Sequence, residues 1–79
     1  MTLESIYNLQ SCNMYPSEHA AIVRIDNMWY MVALLAIENA YYYNVLLING
    51  SNEIHTTLQI DHPVTMITES DIDTYGIVL

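Results

Sequence analysis

Turn-forming groups recur along this chain at nearly constant spacing, and that spacing limits what can lie between them. Asp26-Asn27, Glu38-Asn39, Asn49-Gly50-Ser51-Asn52 and Asp61-His62-Pro63 fall about eleven or twelve residues apart. Such spacing suits successive antiparallel hairpins in a small sandwich or barrel. Asn-Gly between apolar runs is the strongest short-range hairpin marker, because both residues tolerate the positive φ of a type I′ turn. Strands are therefore predicted near residues 20–25, 28–37, 41–48, 53–60 and 64–67.

The segment "MWYMVALLA" tests that reading, since Met, Ala and Leu favour a helix and Asp26 offers an N-cap. A helix over residues 28–39, however, is apolar almost all round, whereas a surface helix of a small domain shows a polar face. A strand with one face inside a barrel and the other covered by a terminus or a partner meets the objection. The fold class expected is mainly β, a small antiparallel meander barrel with a short N-terminal helix or turn. The alternative is α+β, with residues 28–39 helical.

At the ends, "TLESIYNLQ" sets Leu3, Ile6, Tyr7 and Leu9 near helical spacing behind Thr2 as an N-cap. "SCNMYPSEH" reads as a loop, its Pro16 and small polar residues disfavouring regular structure. "TESDID" reads as a short helical turn capped by Thr68 or Ser70, and "YGIVL" as a final strand closing the sheet. The 79 residues allow one domain. A chain so short buries only about 60–65% of its unfolded surface, so self-association or a partner adds useful stability.

Charge is the compositional outlier. There are nine acids against a single basic residue, Arg24, and the net charge is −8. An average chain of this length carries about ten residues of each sign, so the imbalance comes from missing cations. Phosphate contacts are made by Lys and Arg, which argues against direct nucleic-acid binding and favours a basic protein surface as partner. No apolar run approaches the ~20 residues that span a bilayer, and "MTLESIYNLQ" lacks the pattern of a secretory leader. A cytoplasmic protein without membrane contact is expected.

"IDNMWYMVALL", then "YYNVLLINGSN", then "SDI" resembles the rhythm of SH3-like barrels, Tudor domains in particular. Those domains place an acidic turn before a Trp-Tyr pair, then a strand reading Val-x-Phe-Ile-Asp-Tyr-Gly-Asn, then a late Asp-Ile. Asp26, Trp29, Tyr30, Asn52, Asp71 and Ile72 match, over about residues 20–73. Met31 stands where an Arg is usual, and Gly50-Ser51 where Tyr-Gly is usual. The resemblance implies the barrel architecture and offers Tyr30 as a member of an aromatic cage.

Catalytic chemistry finds little support. Cys12 is the only cysteine and reads as a buried or idle thiol. His19, His55 and His62 lack the spacing of a zinc site, and no glycine-rich phosphate cradle is present. Neither a metal nor a cofactor is expected. Aromatics point elsewhere, because Tyr41, Tyr42 and Tyr43 are consecutive and a strand must turn at least one of them away from the core. Tyr, Trp and Met are enriched at protein interfaces. The expected protein-binding residues are therefore Trp29, Tyr30, Tyr41, Tyr42 and Tyr43, with Glu69, Asp71 and Asp73 contacting basic side chains. The function expected is a small acidic non-enzymatic binding protein, a virus or phage accessory inhibitor that occludes a basic, nucleic-acid-binding surface of a host protein. The alternatives are a self-associating structural barrel, homodimeric through Trp29 and the tyrosines, and a sponge for a small nucleotide.

Overall fold

The structure, a computed structural model, describes residues 1–78. It opens with helix α1 (Leu3–Ser11). Thr2 is extended and its hydroxyl accepts the Ser5 N–H at 3.3 Å, so the predicted N-cap forms. Two further first-turn donors find carbonyls in the chain that crosses beneath the helix. Leu3 N–H donates to His62 C=O at 3.1 Å, and Glu4 N–H to Ile60 C=O at 2.9 Å. Leu3 and Ile6, three residues apart, are fully buried on one helix face.

Five strands follow: β1 (His19–Ile25), β2 (Met28–Ile37), β3 (Tyr42–Asn49), β4 (Asn52–Gln59) and β5 (Thr65–Thr68). They form one antiparallel sheet in the order β4-β3-β2-β1-β5. Residues 28–37 are a strand, the reading favoured by the lack of a polar helix face, and the helical alternative over 28–39 does not occur. The chain then leaves β4 and crosses to the far side of β1, with Val64 N–H held by Met1 C=O at 2.8 Å on the way.

The hairpin chemistry differs from expectation in one respect. Asp26 and Asn27 both have positive φ, 50° and 67°, which is the type I′ pattern. At the Asn-Gly hairpin Asn49 and Asn52 are paired strand residues, and Gly50-Ser51 make the turn. Of these two only Gly50 has positive φ, at 61°, which fits a type II′ turn.

The expected barrel closure does not occur: β4 and β5 end the sheet and do not pair with each other. Helix α1 and the crossing segment already cover the face that a closing sheet would bury. Nor does "YGIVL" form the expected closing strand. After β5 the chain makes two 3-10 turns, Glu69–Asp71 and Asp73–Tyr75, and Gly76 then takes φ 72°. Ile77 and Val78 are not in a strand, and Leu79 lies outside the described residues.

What replaces that strand is a polar clasp. Asn49 is buried, and its Nδ2 donates to the carbonyls of Trp29 at 2.9 Å and Gly76 at 3.1 Å. Its Oδ1 accepts the Val78 N–H at 3.0 Å, and Gly50 N–H donates to Val78 C=O at 2.6 Å. One amide thus ties the C-terminal segment to two strands, and every polar atom of its side chain is used.

Two apolar cores result. On the helix side Leu3, Ile6, Ala21, Val23, Tyr30, Tyr43, Val45, Leu47 and Val64 are buried together. On the opposite side Ala20, Ile22, Ile67, Ile72 and Ile77 form a second cluster, flanked by Trp29, Met31 and Tyr75. Ile6→Ala should cost about 2–5 kcal/mol, a large part of the ~4–12 kcal/mol a domain this size commands, read as a lower urea midpoint. Asn49→Asp removes both amide donors and sets a carboxylate against two carbonyls. Its folded pKa should rise, so the stability deficit against wild type should be largest at neutral pH and shrink as pH falls through that raised value. Urea titrations across pH read this directly, and a deficit independent of pH would contradict the clasp geometry.

Candidate functional site

The exposed part of the second sheet face is the candidate site, and an irregularity in β2 creates it. Val32 pairs with Leu47, but the next pair is Leu34 with Leu46, so Ala33 is an extra residue in a β-bulge. Unbulged alternation would send Leu34 to the helix side with Val32. The bulge instead puts Leu34 opposite Leu46 on the other face, and returns Leu35 to the helix-side core. Leu34 is left 65% exposed. Along this face lies an open trough of about 620 Å³. Leu34, Ala36, Asn44, Leu46, His55 and Thr57 form its floor, with Val45 and Thr56 reaching the margin.

The C-terminal segment stops short of this trough. Its buried Ile72 and Ile77 cover β1, β5 and the start of β2, while Leu46 and Ile48 on β3 remain half-buried. Carboxylates flank the open half. Glu53 pairs across the ladder with Ile48 at one end, and Glu38 accepts a hydrogen bond from Asn44 Nδ2 at the other. The only guanidinium lies elsewhere: Arg24 sits 5.9 Å over the Trp29 ring and donates to Asn27 Oδ1 at 3.4 Å.

The aromatic residues are not assembled into one surface. Tyr43 is 6% exposed and its ring stacks on Tyr7 with centroids 5.2 Å apart. Tyr42 turns to the opposite face, 38% exposed, on the same side of β3 as Asn44. Tyr41 precedes β3 in the turn and is 74% exposed, its N–H held by Asn39 Oδ1 at 2.8 Å. Tyr30 is buried, with its hydroxyl 3.4 Å from Met28 Sδ, and its ring belongs to the helix-side core. Trp29 packs edge-on against Tyr75 at 5.3 Å, at the covered end of the sheet. Of the five, Tyr42 and Tyr41 are the two that solvent reaches freely at the open end.

The acidic residues lie at the covered end. Glu69, Asp71 and Asp73 are exposed in the 3-10 turns, and Asp71 Oδ2 accepts from Thr68 Oγ1 at 3.0 Å. Cys12 is exposed at the helix C-cap, so of the buried or idle thiol expected the buried form is not what is found. The histidines stand apart in the fold: His19 Nδ1 is 2.8 Å from Ser17 C=O, His55 is in the trough, and His62 follows β4. Among the described residues no group of three His, Cys, Asp or Glu is placed to hold a metal, and no helix is long and apolar enough to cross a membrane. Leu34 and Leu46 are the site residues that sequence reasoning missed. The bulge that exposes Leu34 has no glycine to mark it.

Comparison of the chain with models of protein families, with curated proteins and with solved structures found no match.

Burial raises the Tyr43 phenol above its usual 10.0, and the nearby charges of Glu4 and Tyr7 raise it further. Burial likewise raises Tyr15. A raised folded pKa contributes stability that is complete below the unfolded value and is lost as pH rises through the folded one. Wild type should therefore lose stability above about pH 10, and Tyr43→Phe should flatten that alkaline limb while changing little at pH 7. Urea midpoints from neutral to alkaline pH check this.

Proposed function

We propose that this chain is a small non-enzymatic binding protein whose open sheet face takes a basic protein surface. The observation that carries the reading is Leu34. A large apolar side chain stands 65% exposed in a trough flanked by Glu38 and Glu53. In a chain of net charge −8, the single arginine is held at the other end of the sheet. An apolar floor with a carboxylate rim favours a partner presenting apolar contacts among Lys and Arg, with Tyr42 available to a cation over its ring. The electrostatic part steers association and sets its salt dependence; the apolar floor supplies the buried area. In its sharpest form the reading has the chain occupy a surface that its partner otherwise uses for nucleic acid.

Affinity capture with immobilised protein should retain basic proteins at low salt and lose most of them at high salt. Leu34→Ser should weaken capture of the same proteins by about tenfold without lowering the melting temperature, since the side chain is exposed. Duplex DNA added with the lysate should compete. Retention of acidic proteins, or retention indifferent to both salt and Leu34, would refute the reading.

A further inference from the structure

We infer that the free edge of β4 is a self-pairing edge, and that two copies of the chain join through it into one continuous ten-stranded sheet. The inference concerns the backbone edge of β4 rather than the sheet face, to which His55 and Thr57 also lend side chains at the trough, and it does not rest on the partner reading.

Strand β4 ends the sheet, and its eight residues pair with β3 in unbroken register from Asn52 to Gln59. The two-residue turn makes Asn49 and Asn52 a hydrogen-bonded pair, and alternation then fixes the rest. Ile54, Thr56 and Leu58 turn their backbone groups toward β3. Glu53, His55, Thr57 and Gln59 turn theirs outward. Protected edges are short, bulged, or carry charged side chains or Pro; β4 is long and unbulged, has neither Lys nor Pro, and carries a single charge, Glu53.

The residue order along this edge is self-complementary about Thr56. With Thr56 facing Thr56 of an antiparallel second copy, Ile54 meets Leu58, His55 meets Thr57, and Glu53 meets Gln59. The four outward-facing residues then all fall in hydrogen-bonded pairs. That gives about eight interchain bonds, comparable to the ~10 ± 5 of a typical interface. The register also resolves the charge problem of a highly acidic chain. Glu53 is the only charged residue on β4, and it faces a neutral glutamine, with the two Glu53 side chains at opposite ends of the seam. Shifting the centre by one toward Glu53 brings the two carboxylates closer and leaves Gln59 without a facing strand residue. Ile54 and Leu58, half-buried in one copy, gain an apolar neighbour on the helix side. Because the two-fold axis is perpendicular to the sheet, the two open troughs lie side by side on one face.

The seam is tested by cysteine placement in a Cys12→Ser background. Across the axis the two Thr56 residues form a non-hydrogen-bonded pair with Cα atoms ~4.5 Å apart, within disulfide reach. Thr56→Cys should oxidise almost wholly to a linked dimer. Glu53→Cys alone should stay unlinked, whereas Glu53→Cys with Gln59→Cys should link. Sedimentation equilibrium of the wild type should give twice the chain mass, with tighter association as salt screens the like net charges. Thr57→Pro removes an outward N–H while sparing the β3 ladder, and should weaken the dimer at least tenfold with an unchanged far-ultraviolet spectrum. A strict monomer at about 100 µM would overturn the proposal. So would linkage through Leu34→Cys as efficient as through Thr56→Cys, which would place the contact on the sheet face.

Discussion

Strand β2 is apolar on both of its faces, and the rest of the molecule is arranged to shelter it. No alternation of polar and apolar residues runs through "MWYMVALLAI", so neither face of the central sheet can be given up to water without cost. On one side α1 and the crossing segment provide cover, anchored by the backbone bonds from Leu3 and Glu4 to His62 and Ile60. On the other side the C-terminal segment provides it, held by the Asn49 amide. The two covers differ in reach. The helix spans enough of its face to bury Tyr43 as well as Val23, while the C-terminal segment reaches only the β5-β1 end and the start of β2. The open trough is the remainder, and its apolar floor is a consequence of the same composition that demanded cover elsewhere.

The bulge at Ala33 decides what that remainder contains. A side-chain period of two means that one extra residue exchanges the faces of everything beyond it. In β2 the exchange sends Leu35 to the helix-side core and Leu34 to solvent. A leucine in water forgoes about 1.5–3 kcal/mol of burial, which a 79-residue domain can ill spare. On the proposed reading, Leu34 beside Leu46 is the apolar contact that a partner covers. The same reading has the carboxylates at the trough's ends, with Arg24 placed away at Trp29, favour a partner of positive charge.

How much of this could be read from the residues alone follows their local chemistry. The turn positions were readable because Asp, Asn and Gly tolerate dihedrals that most residues resist, although at the second hairpin the turn pair is Gly50-Ser51 rather than Asn-Gly. Helix α1 was readable because Thr2 supplies a cap and Leu3 and Ile6 a stripe. Opposite facing of Tyr42 and Tyr43 follows from strand geometry. Three things were hidden because they depend on long-range packing. The bulge falls at an alanine, with no mark in the local sequence. "YGIVL" has strand-like residues, but Gly76 adopts the left-handed region and Asn49, far away in sequence, captures its carbonyl. Grouping all the aromatics failed because register separates them: Tyr43 lies opposite Ile37, while Trp29 lies opposite Arg24.

The two edges of the sheet are also treated unequally. Strand β5 is four residues long and passes at once into the 3-10 turns, so it offers little to pair with. Strand β4 is twice that length, regular, and polar enough to stay soluble, yet it carries none of the cations that blunt an edge. Lysine is the residue most used for that purpose, and this chain contains none, its single basic residue being Arg24. The absence that makes the protein acidic thus also removes the ordinary guard from its longest free strand. The net charge of −8 would penalise stacking many copies more than joining two. In the proposed dimer a single seam would use up the β4 edge and leave only the short β5 edges outside.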